Sequence, residues 1–352
     1  MTVSVDFLRP SDAGEYDRYL ASRADGLFYH CTEFKRYVAA LTGGEDRTLV
    51  ARRDGRMVGA LPLMAKPGPF GTVLNSMPYY GSNGGPLFDD PDAAASLAGA
   101  YGDLAGGAGI AAATVVENPF ARQPWPDLPQ TCTDARINQS TDLGRVSGGS
   151  LAGVVESSAL RNARKARRHG IRATLDEGRW EGLWEAHRAG MEAIGARVKT
   201  RESFALLGRF FAPGSRYRIY VAELDGAAVA FLLLFYFNGI VEYYVPATVP
   251  QHRELQPMAV LLEEAMLDAA NRGFHTWNWG GTWLTQDGVY RFKEKWGAVP
   301  RDYRYRVRIN DDRLLERGRG ELEAAYPNFY VCPYALLRGA AGATDSSSQP
   351  RR

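Results

Sequence analysis

LVARRDGRMVGALPLM at residues 49–64 and YVAELDGAAVAFLLLF at residues 220–235 are two copies of one pattern. Aligned at a fixed offset, Val50, Ala51, Asp54, Gly55 and Val58 coincide with Val221, Ala222, Asp225, Gly226 and Val229, five identities within nine positions. Each copy is an apolar run, an Asp-Gly pair and a second apolar run, which is how a β-hairpin is written in sequence. The elements after each hairpin also correspond. After the first come an extended stretch (GTVLNSMPYYGSNGGPLF), a helical pattern over Pro91 to Gly106 and the strand AAATVVEN. After the second come the strand IVEYYVPA, the loop TVPQHRELQ, a helix from Pro257 to Arg272 and the strand FHTWNWGG. In that helix Met258, Leu261, Leu262, Ala265 and Ala269 recur at helical spacing, Pro257 suits the first position and Gly273 the C-terminal cap. A short helix near Gly288 to Trp296 and the strand YRYRVRI complete the second half. The fold class is therefore α/β (α+β), a duplicated unit of mixed, mostly antiparallel sheet flanked by helices.

A length of 352 residues agrees with two domains. The Gly/Ser-rich stretch GRVSGGSLAGV, residues 144–154, marks the expected boundary. Residues 1–148 and 149–310 are the two expected domains. Residues 311–338 are expected to pack back on the first, and the tail GAAGATDSSSQPRR, 339–352, to be disordered.

With 45% apolar and 23% charged residues, the chain has the composition of a globular protein. A net charge of +2 leaves polyanion binding to local clusters. Three scattered cysteines, Cys31, Cys132 and Cys332, suggest neither a disulfide framework nor a metal site and fit a reducing cytoplasm. The N-terminus lacks the apolar core of a signal peptide, and the longest apolar run, Ala227 to Phe237, is far below the roughly 20 residues of a membrane span. There is no Walker A sequence, no His-Glu-x-x-His, no Cys-x-x-Cys and no Gly-x-Ser-x-Gly. Gly107-Ala108-Gly109 follows a helix rather than a strand, so it is no dinucleotide fingerprint.

Five stretches carry a family resemblance. GGTWLTQDGVYRFKEKWGAVPRDYRY, residues 280–305, places a strand ending in glycines before Tyr290-x-Phe292-Lys293 and Trp296-Gly297. The first half reads LFYHCTEFKRYVAALTG, DGRMVGALPLM and FGTVLNSMPYYGSNGGPL, and RNARKARRHGI, residues 161–171, is a basic helix near the expected junction. Together with the element order, about residues 25–310 resemble the FemABX-type acyltransferases of the GNAT superfamily. The resemblance implies two tandem GNAT-like domains, the first non-catalytic and contributing to acceptor binding, and an active site in the second. It implies transfer of an acyl group to an amine. In FemABX proper the donor is an aminoacyl-tRNA and the acceptor a peptidoglycan precursor, and other members act on saccharides or antibiotic precursors. The coiled-coil arm of some peptidoglycan members is missing here.

Acyl transfer needs a held donor carbonyl, a stabilised oxyanion and removal of the amine's proton. In GNAT-like folds the donor lies along a strand at a slot between two splayed strands. Tyr236, Tyr243 and Tyr244 lie on the strands expected there, Tyr244 favoured by family position; alternation sends Tyr243 and Tyr244 to opposite faces. By the family match, Phe292 and Lys293 are the foremost catalytic candidates, the lysine as the cation at the developing charge, with Arg291 beside them. A lysine on a helix otherwise faces water. Glu242 and His252 are the candidate bases, a carboxylate and an imidazole being the side chains most often used for that task. In the first half Tyr79, Tyr80, Asn83 and Lys35 are the residues the resemblance assigns to the acceptor.

The donor question turns on HRELQPMAV, residues 252–260. An acetyl-CoA enzyme cradles pyrophosphate on the amides of a Gly-rich turn before this helix. Here there is no glycine, and Pro257 has no N–H. That argues for aminoacyl-tRNA as co-substrate, with acetyl-CoA the alternative and no tightly bound cofactor. Arg161, Arg164, Lys165, Arg167 and Arg168 crowd one helix that contains no acid, a surface fit for tRNA phosphates. Arg304, Arg306 and Arg308, alternating along a strand, are expected to extend it. No DNA partner is implied.

Overall fold

The computed structural model describes residues 2–79, 83–128, 130–283 and 286–339. The chain divides into two compact units, 1–136 with 303–352 and 137–302. The boundaries expected from sequence, 148/149 and 310/311, lie on the C-terminal side of both division points. From residue 340 the expected tail is outside the described residues.

The first unit begins with β1 (Val3–Phe7), α1 (Ala13–Ala21), α2 (Thr32–Thr42), β2 (Glu45–Asp46), β3 (Leu49–Arg53) and β4 (Arg56–Leu61). It continues through β5 (Met64–Gly68), β6 (Gly71–Asn75), β7 (Leu87–Phe88), α3 (Pro91–Ala105) and β8 (Ile110–Val116). Asp90 caps α3 by accepting from Ala93 N–H at 3.0 Å, and Pro91 takes the first helical position. One sheet has the order β1-β3-β4-β7. In the other, β2-β5-β6-β8, strands β6 and β8 are parallel, joined through α3.

The second unit takes in the end of β9 (Cys132–Asp142), then α4 (Ser157–Arg168), β10 (Arg172–Leu175), α5 (Trp180–Glu192), α6 (Arg201–Ala205) and α7 (Leu207–Phe210). Next come β11 (Tyr217–Leu224), β12 (Ala227–Phe237), β13 (Ile240–Thr248), α8 (Pro257–Asn271), β14 (Thr276–Thr282) and α9 (Asp287–Lys295). The chain returns to the first unit along β15 (Val299–Ile309), whose residues 305–309 pair with β8, and ends in α10 (Arg319–Ala325). In the second unit the sheet order is β10-β11-β12-β13-β14-β9, antiparallel except for the parallel pair β13 and β14.

The two hairpins repeat in backbone detail. Asp54 and Gly55 have φ of 50° and 77°, and Asp225 and Gly226 have 52° and 80°. Both turn residues are left-handed in each copy, which Asp-Gly tolerates and most pairs do not. Each hairpin carries a bulge one turn from its loop, Val58 being the extra residue in the first and Val229 in the second.

The second unit's core lies between this sheet and α4 and α8. Ala159, Ala163 and Ala166 are buried on the inner stripe of α4, against Ala259, Leu262 and Ala265 of α8. Small residues let the two helices approach closely while the arginines of α4 stay outside. On the opposite face lies α5, where Gly182 makes room for the ring of Phe231.

Candidate active site

Strands β13 and β14 pair at only three positions, Ile240 with Thr276, Val241 with Trp277 and Glu242 with Asn278. Past that point each has a bulge. Tyr244 is the extra residue where β13 meets β12, since Leu233 pairs with Val245 and Leu234 with Tyr243. Trp279 is the extra residue where β14 meets β9, and Gly280 follows with φ of 71°. Bulges bend strands and sharpen their twist, so two in register drive the strands apart. The result is a fork whose β13 arm, from Tyr243 to Thr248, has no strand partner on the β14 side among the described residues. An unpaired edge offers N–H and C=O groups to an extended chain.

At the base of the fork Glu242 is 1% exposed, and its Oε2 accepts from Asn278 Nδ2 at 2.7 Å. Asn278 Oδ1 in turn accepts from the N–H of Gly280 at 3.0 Å, so one amide fixes both the carboxylate and the turn of the β14 arm. Tyr243 and Tyr244 face opposite sides of the sheet. The ring of Tyr243 stands 4.8 Å from that of Trp279 and 6.2 Å from that of Trp277, and burial raises its pKa. The ring of Tyr244 lies 4.7 Å from that of Phe235, with Lys199 Nζ 4.8 Å from its centre.

The β14 arm ends on Lys293. This lysine is 4% exposed, and its Nζ donates to Thr282 Oγ1 at 2.7 Å and to the carbonyls of Gly280 and Gly281 at 3.3 and 3.4 Å. The Thr282 hydroxyl donates in turn to Gln139 Oε1 at 3.1 Å, and Gln139 Nε2 donates to the Tyr290 carbonyl at 3.2 Å. Burial lowers the Lys293 pKa to about 8. No carboxylate pairs with it among the described residues. Beside it Phe292 is 39% exposed, its ring edge-on to Trp279 at 6.2 Å. Arg291 is exposed and His252 half-buried, the latter in the six-residue 3-10 segment Pro250–Leu255 that precedes α8.

Several residues named from sequence have other surroundings. Tyr236 is 1% exposed, its ring covered by Arg272 at 4.3 Å and its hydroxyl 3.3 Å from that of Tyr220, so it packs the core under α8 and does not line the fork. Lys35 is 1% exposed, held by Thr48 Oγ1 at 2.8 Å and Asp46 at 3.0 Å over the ring of Tyr16, and burial lowers its pKa. A lysine so enclosed braces the first unit and presents nothing to an acceptor. Tyr79 has φ of 82° and stands edge-on to Tyr37 at 6.2 Å. Asn83 is buried, donating to the Glu117 carbonyl at 3.3 Å. Tyr80 lies outside the described residues.

On α4, Arg161, Arg164, Lys165 and Arg168 are exposed and make no ion pair among the described residues. Arg167 differs, because α8 brings Glu263 and Glu264 against its guanidinium. The helix thus has compensating acids that its own sequence does not contain. Arg306 is taken by Glu117 at 2.6 Å, and Arg308 by Asn310 at 2.8 Å and the Gly102 carbonyl at 3.2 Å, so neither extends a free basic stripe. Reading the sequence missed Asn278, Gln139 and Thr282, whose roles exist only once β9, β14 and α9 are adjacent.

Residues 157–294 match the family model of the acetyltransferase (GNAT) domain. No curated protein matches the chain in sequence. Among solved structures, FemX is similar at 14% identity and a TM-score of 0.68, covering 89% of this chain and 99% of its own. The C-terminal domain of a putative lysylphosphatidylglycerol synthetase from Agrobacterium fabrum has 12% identity and a TM-score of 0.56 over 92% of this chain and 98% of its own. A conserved protein of unknown function from Bacteroides thetaiotaomicron has 9% identity and a TM-score of 0.55 over 88% and 100%. Residues 157–294, within the second unit, thus correspond to a GNAT domain, in a chain that shares its fold with FemX along nearly its whole length. Among the described residues no helix is long and apolar enough to cross a membrane.

Proposed function

We propose that the chain is an N-acyltransferase of FemABX type, moving an aminoacyl group from aminoacyl-tRNA to an amine of a cell-wall precursor or natural-product intermediate. The observation that carries this reading is the fork, an open β13 edge with a buried carboxylate at its base and a buried ammonium on its far arm. The aminoacyl chain extends along β13 beyond Glu242, with its carbonyl oxygen turned to Lys293. Thr282 anchors that ammonium. The two longer bonds to Gly280 and Gly281 are the ones a substrate oxygen displaces. The acceptor amine attacks the carbonyl carbon, the bond to the tRNA ribose oxygen breaks, and the proton lost by nitrogen ends on that oxygen. Glu242 accepts the proton in transit, directly or through water, while Asn278 steadies the carboxylate through Oε2. Tyr244 packs the wall of the slot, with Phe292 at its exposed lip.

Two features favour tRNA over acetyl-CoA as donor. The turn before α8 offers no pyrophosphate cradle, since Gln256 stands at the helix start with φ of 58° and Pro257 lacks an N–H. The outer face of α4 presents four basic side chains free to meet phosphates. The fold shared with a protein named for lysylphosphatidylglycerol synthesis also favours an aminoacyl group.

The test is to incubate the purified chain with tRNA carrying labelled amino acids and, separately, with labelled acetyl-CoA, each with a mixture of cell-wall precursors. Label passing to an amine from tRNA, and abolished by ribonuclease, is expected. Label passing only from acetyl-CoA, insensitive to ribonuclease, overturns the donor assignment.

A further inference from the structure

Strand β9 reaches Lys293 through one intermediary. Gln139 and Thr141 stand two residues apart on β9 and so share one face of the sheet. Each accepts from a side chain of β14 and donates to a carbonyl in or just after α9. Gln139 takes the Thr282 hydroxyl at 3.1 Å and donates to the Tyr290 carbonyl at 3.2 Å. Thr141 takes the Trp279 indole N–H at 2.9 Å and donates to the Trp296 carbonyl at 2.9 Å. Both are buried, at 0% and 1% exposure. Both clasp helix to sheet, but the Gln139 clasp continues to a charge, because Thr282 accepts from Lys293 Nζ at 2.7 Å.

The proton directions along this chain are forced. An ammonium only donates and a carbonyl only accepts. Thr282 must accept from Lys293 and send its own proton on to Gln139. The Gln139 amide must turn its NH₂ to Tyr290 and its oxygen to Thr282. Any other arrangement sets two donors or two acceptors face to face. With the hydroxyl proton so committed, the Thr282 oxygen turns a lone pair to Lys293. Hydrogen bonds in series also strengthen one another, by about 10–30% per bond.

We infer that Gln139 is a positioning residue for the transfer step: through Thr282 it sets the direction and strength of the bond that holds the Lys293 ammonium, and thereby the charge that meets the acyl oxygen. The last clause rests on the transfer proposed above; the hold on the ammonium does not. The surroundings leave this role to Gln139. Strand β14 carries no titratable side chain, and on the part of β9 in this unit Asp142 accepts from the Gly144 N–H at 2.9 Å. Asp287, Arg291, Glu294 and Lys295 of α9 are exposed, and Tyr290 is half-buried. Glu156, whose N–H meets the Lys295 carbonyl at 2.9 Å, is exposed as well. Burial is what lowers the Lys293 pKa to about 8.

The experiment uses the full chain with its lysines isotope-labelled at Cε. The Lys293 magnetic resonance signal, assigned by its loss in Lys293→Met, is titrated with pH without any substrate. Gln139→Met keeps the bulk of the side chain and removes both bonds. It should lower the Lys293 midpoint by about half a unit, since Thr282 loses the acceptor that polarises it. Gln139→Asn keeps an amide but withdraws it by one methylene, and should shift the midpoint in the same direction. Gln139→Glu still offers an oxygen to Thr282 and should give a midpoint no lower than that of the unsubstituted protein. Thr141→Val breaks the neighbouring clasp and should leave the midpoint in place. A lowered midpoint means that the ammonium is lost at lower pH, so the alkaline fall of kcat/KM should move down with it, with KM little changed. An unmoved midpoint in Gln139→Met and Gln139→Asn, or an equal fall in Thr141→Val, overturns the inference, because Gln139 then only braces α9. Midpoints that move as expected in a chain that transfers no aminoacyl group leave the hold on Lys293 standing and sink the transfer reading. Transfer with unmoved midpoints does the reverse.

Discussion

Lys293 donates from Nζ to Thr282 Oγ1 at 2.7 Å, tying α9 to the last residue of β14. The bond gives a buried ammonium a firm anchor without a carboxylate, which leaves its positive charge unneutralised and available to a developing oxyanion. Lys293→Ala should lower kcat by about 10²–10³-fold, the scale of losing one oxyanion-stabilising group. Thr282→Ala should cost less, because the carbonyls of Gly280 and Gly281 still hold the lysine. Burial places the Lys293 pKa at about 8, so the charged form prevails below that pH and is lost above it. The rate should accordingly fall as pH rises through about 8, read from kcat/KM profiles with several acceptors. A rate that climbs through the same range would show that the neutral amine is the working form.

Glu242 offers a second test at the base of the fork. Glu242→Gln keeps the side chain's size and still accepts from Asn278, but takes up no proton. Turnover should drop by about 10²–10⁴-fold with the affinity for donor little changed. Asn278→Ala, which frees both the carboxylate and the Gly280 turn, should lose turnover and donor affinity together. Single-turnover and equilibrium-binding measurements separate the two outcomes.

Substitutions on α4 should sort by what each arginine already touches. Each of Arg161, Arg164 and Arg168 changed to Ala should reduce the slope of log K against log salt for tRNA by up to about 0.9 for every phosphate the side chain neutralises. Arg167→Ala should leave that slope nearly unchanged, since its guanidinium is engaged by Glu263 and Glu264, and should cost at most about 1 kcal/mol of stability. Slopes equal to that of the unsubstituted protein in all four variants would show that the helix does not meet the nucleic acid.

Two buried histidines make the fold sensitive to acid. His30, in the first unit, accepts from Leu27 N–H at 3.0 Å and lies 2.9 Å from the Gly85 carbonyl; His187 is its counterpart in the second. Burial lowers both pKa values to about 4, against 6.5 for a free side chain. The unfolded chain therefore binds more protons between those limits. The stability these neutral rings confer is complete above about pH 6.5 and is lost as pH falls toward 4, by at most about 1.4 kcal/mol per pH unit for each ring. Urea unfolding at several pH values checks this, and His187→Phe should flatten the dependence for the second unit.

The hairpins were legible because a two-residue loop with both φ values positive admits few residue pairs, and Asp-Gly is one of them. Helix α8 was legible because Pro257 and the Leu261, Leu262 and Ala265 stripe mark its start and inner face. The bulges at Val58, Val229 and Tyr244 left no sign, because a bulge is a fact of pairing between strands and any β-branched or aromatic residue can occupy it. Lys35 was misread for a related reason. A lysine enclosed by Tyr16, Thr48 and Asp46 looks, residue by residue, like one in solvent. Arg167 seemed unopposed because its acids stand nearly a hundred positions later.

The parallel strands that follow the two hairpins end differently. In the first unit β6 stays paired with β8 from Thr72 to Asn75, and Ser76 N–H continues onto the Thr114 carbonyl at 2.9 Å. In the second, β13 parts from β14 after Glu242. On the transfer proposed above, one seam shut and one open sets a stoichiometry: a titration of donor against protein should break sharply at one equivalent per polypeptide.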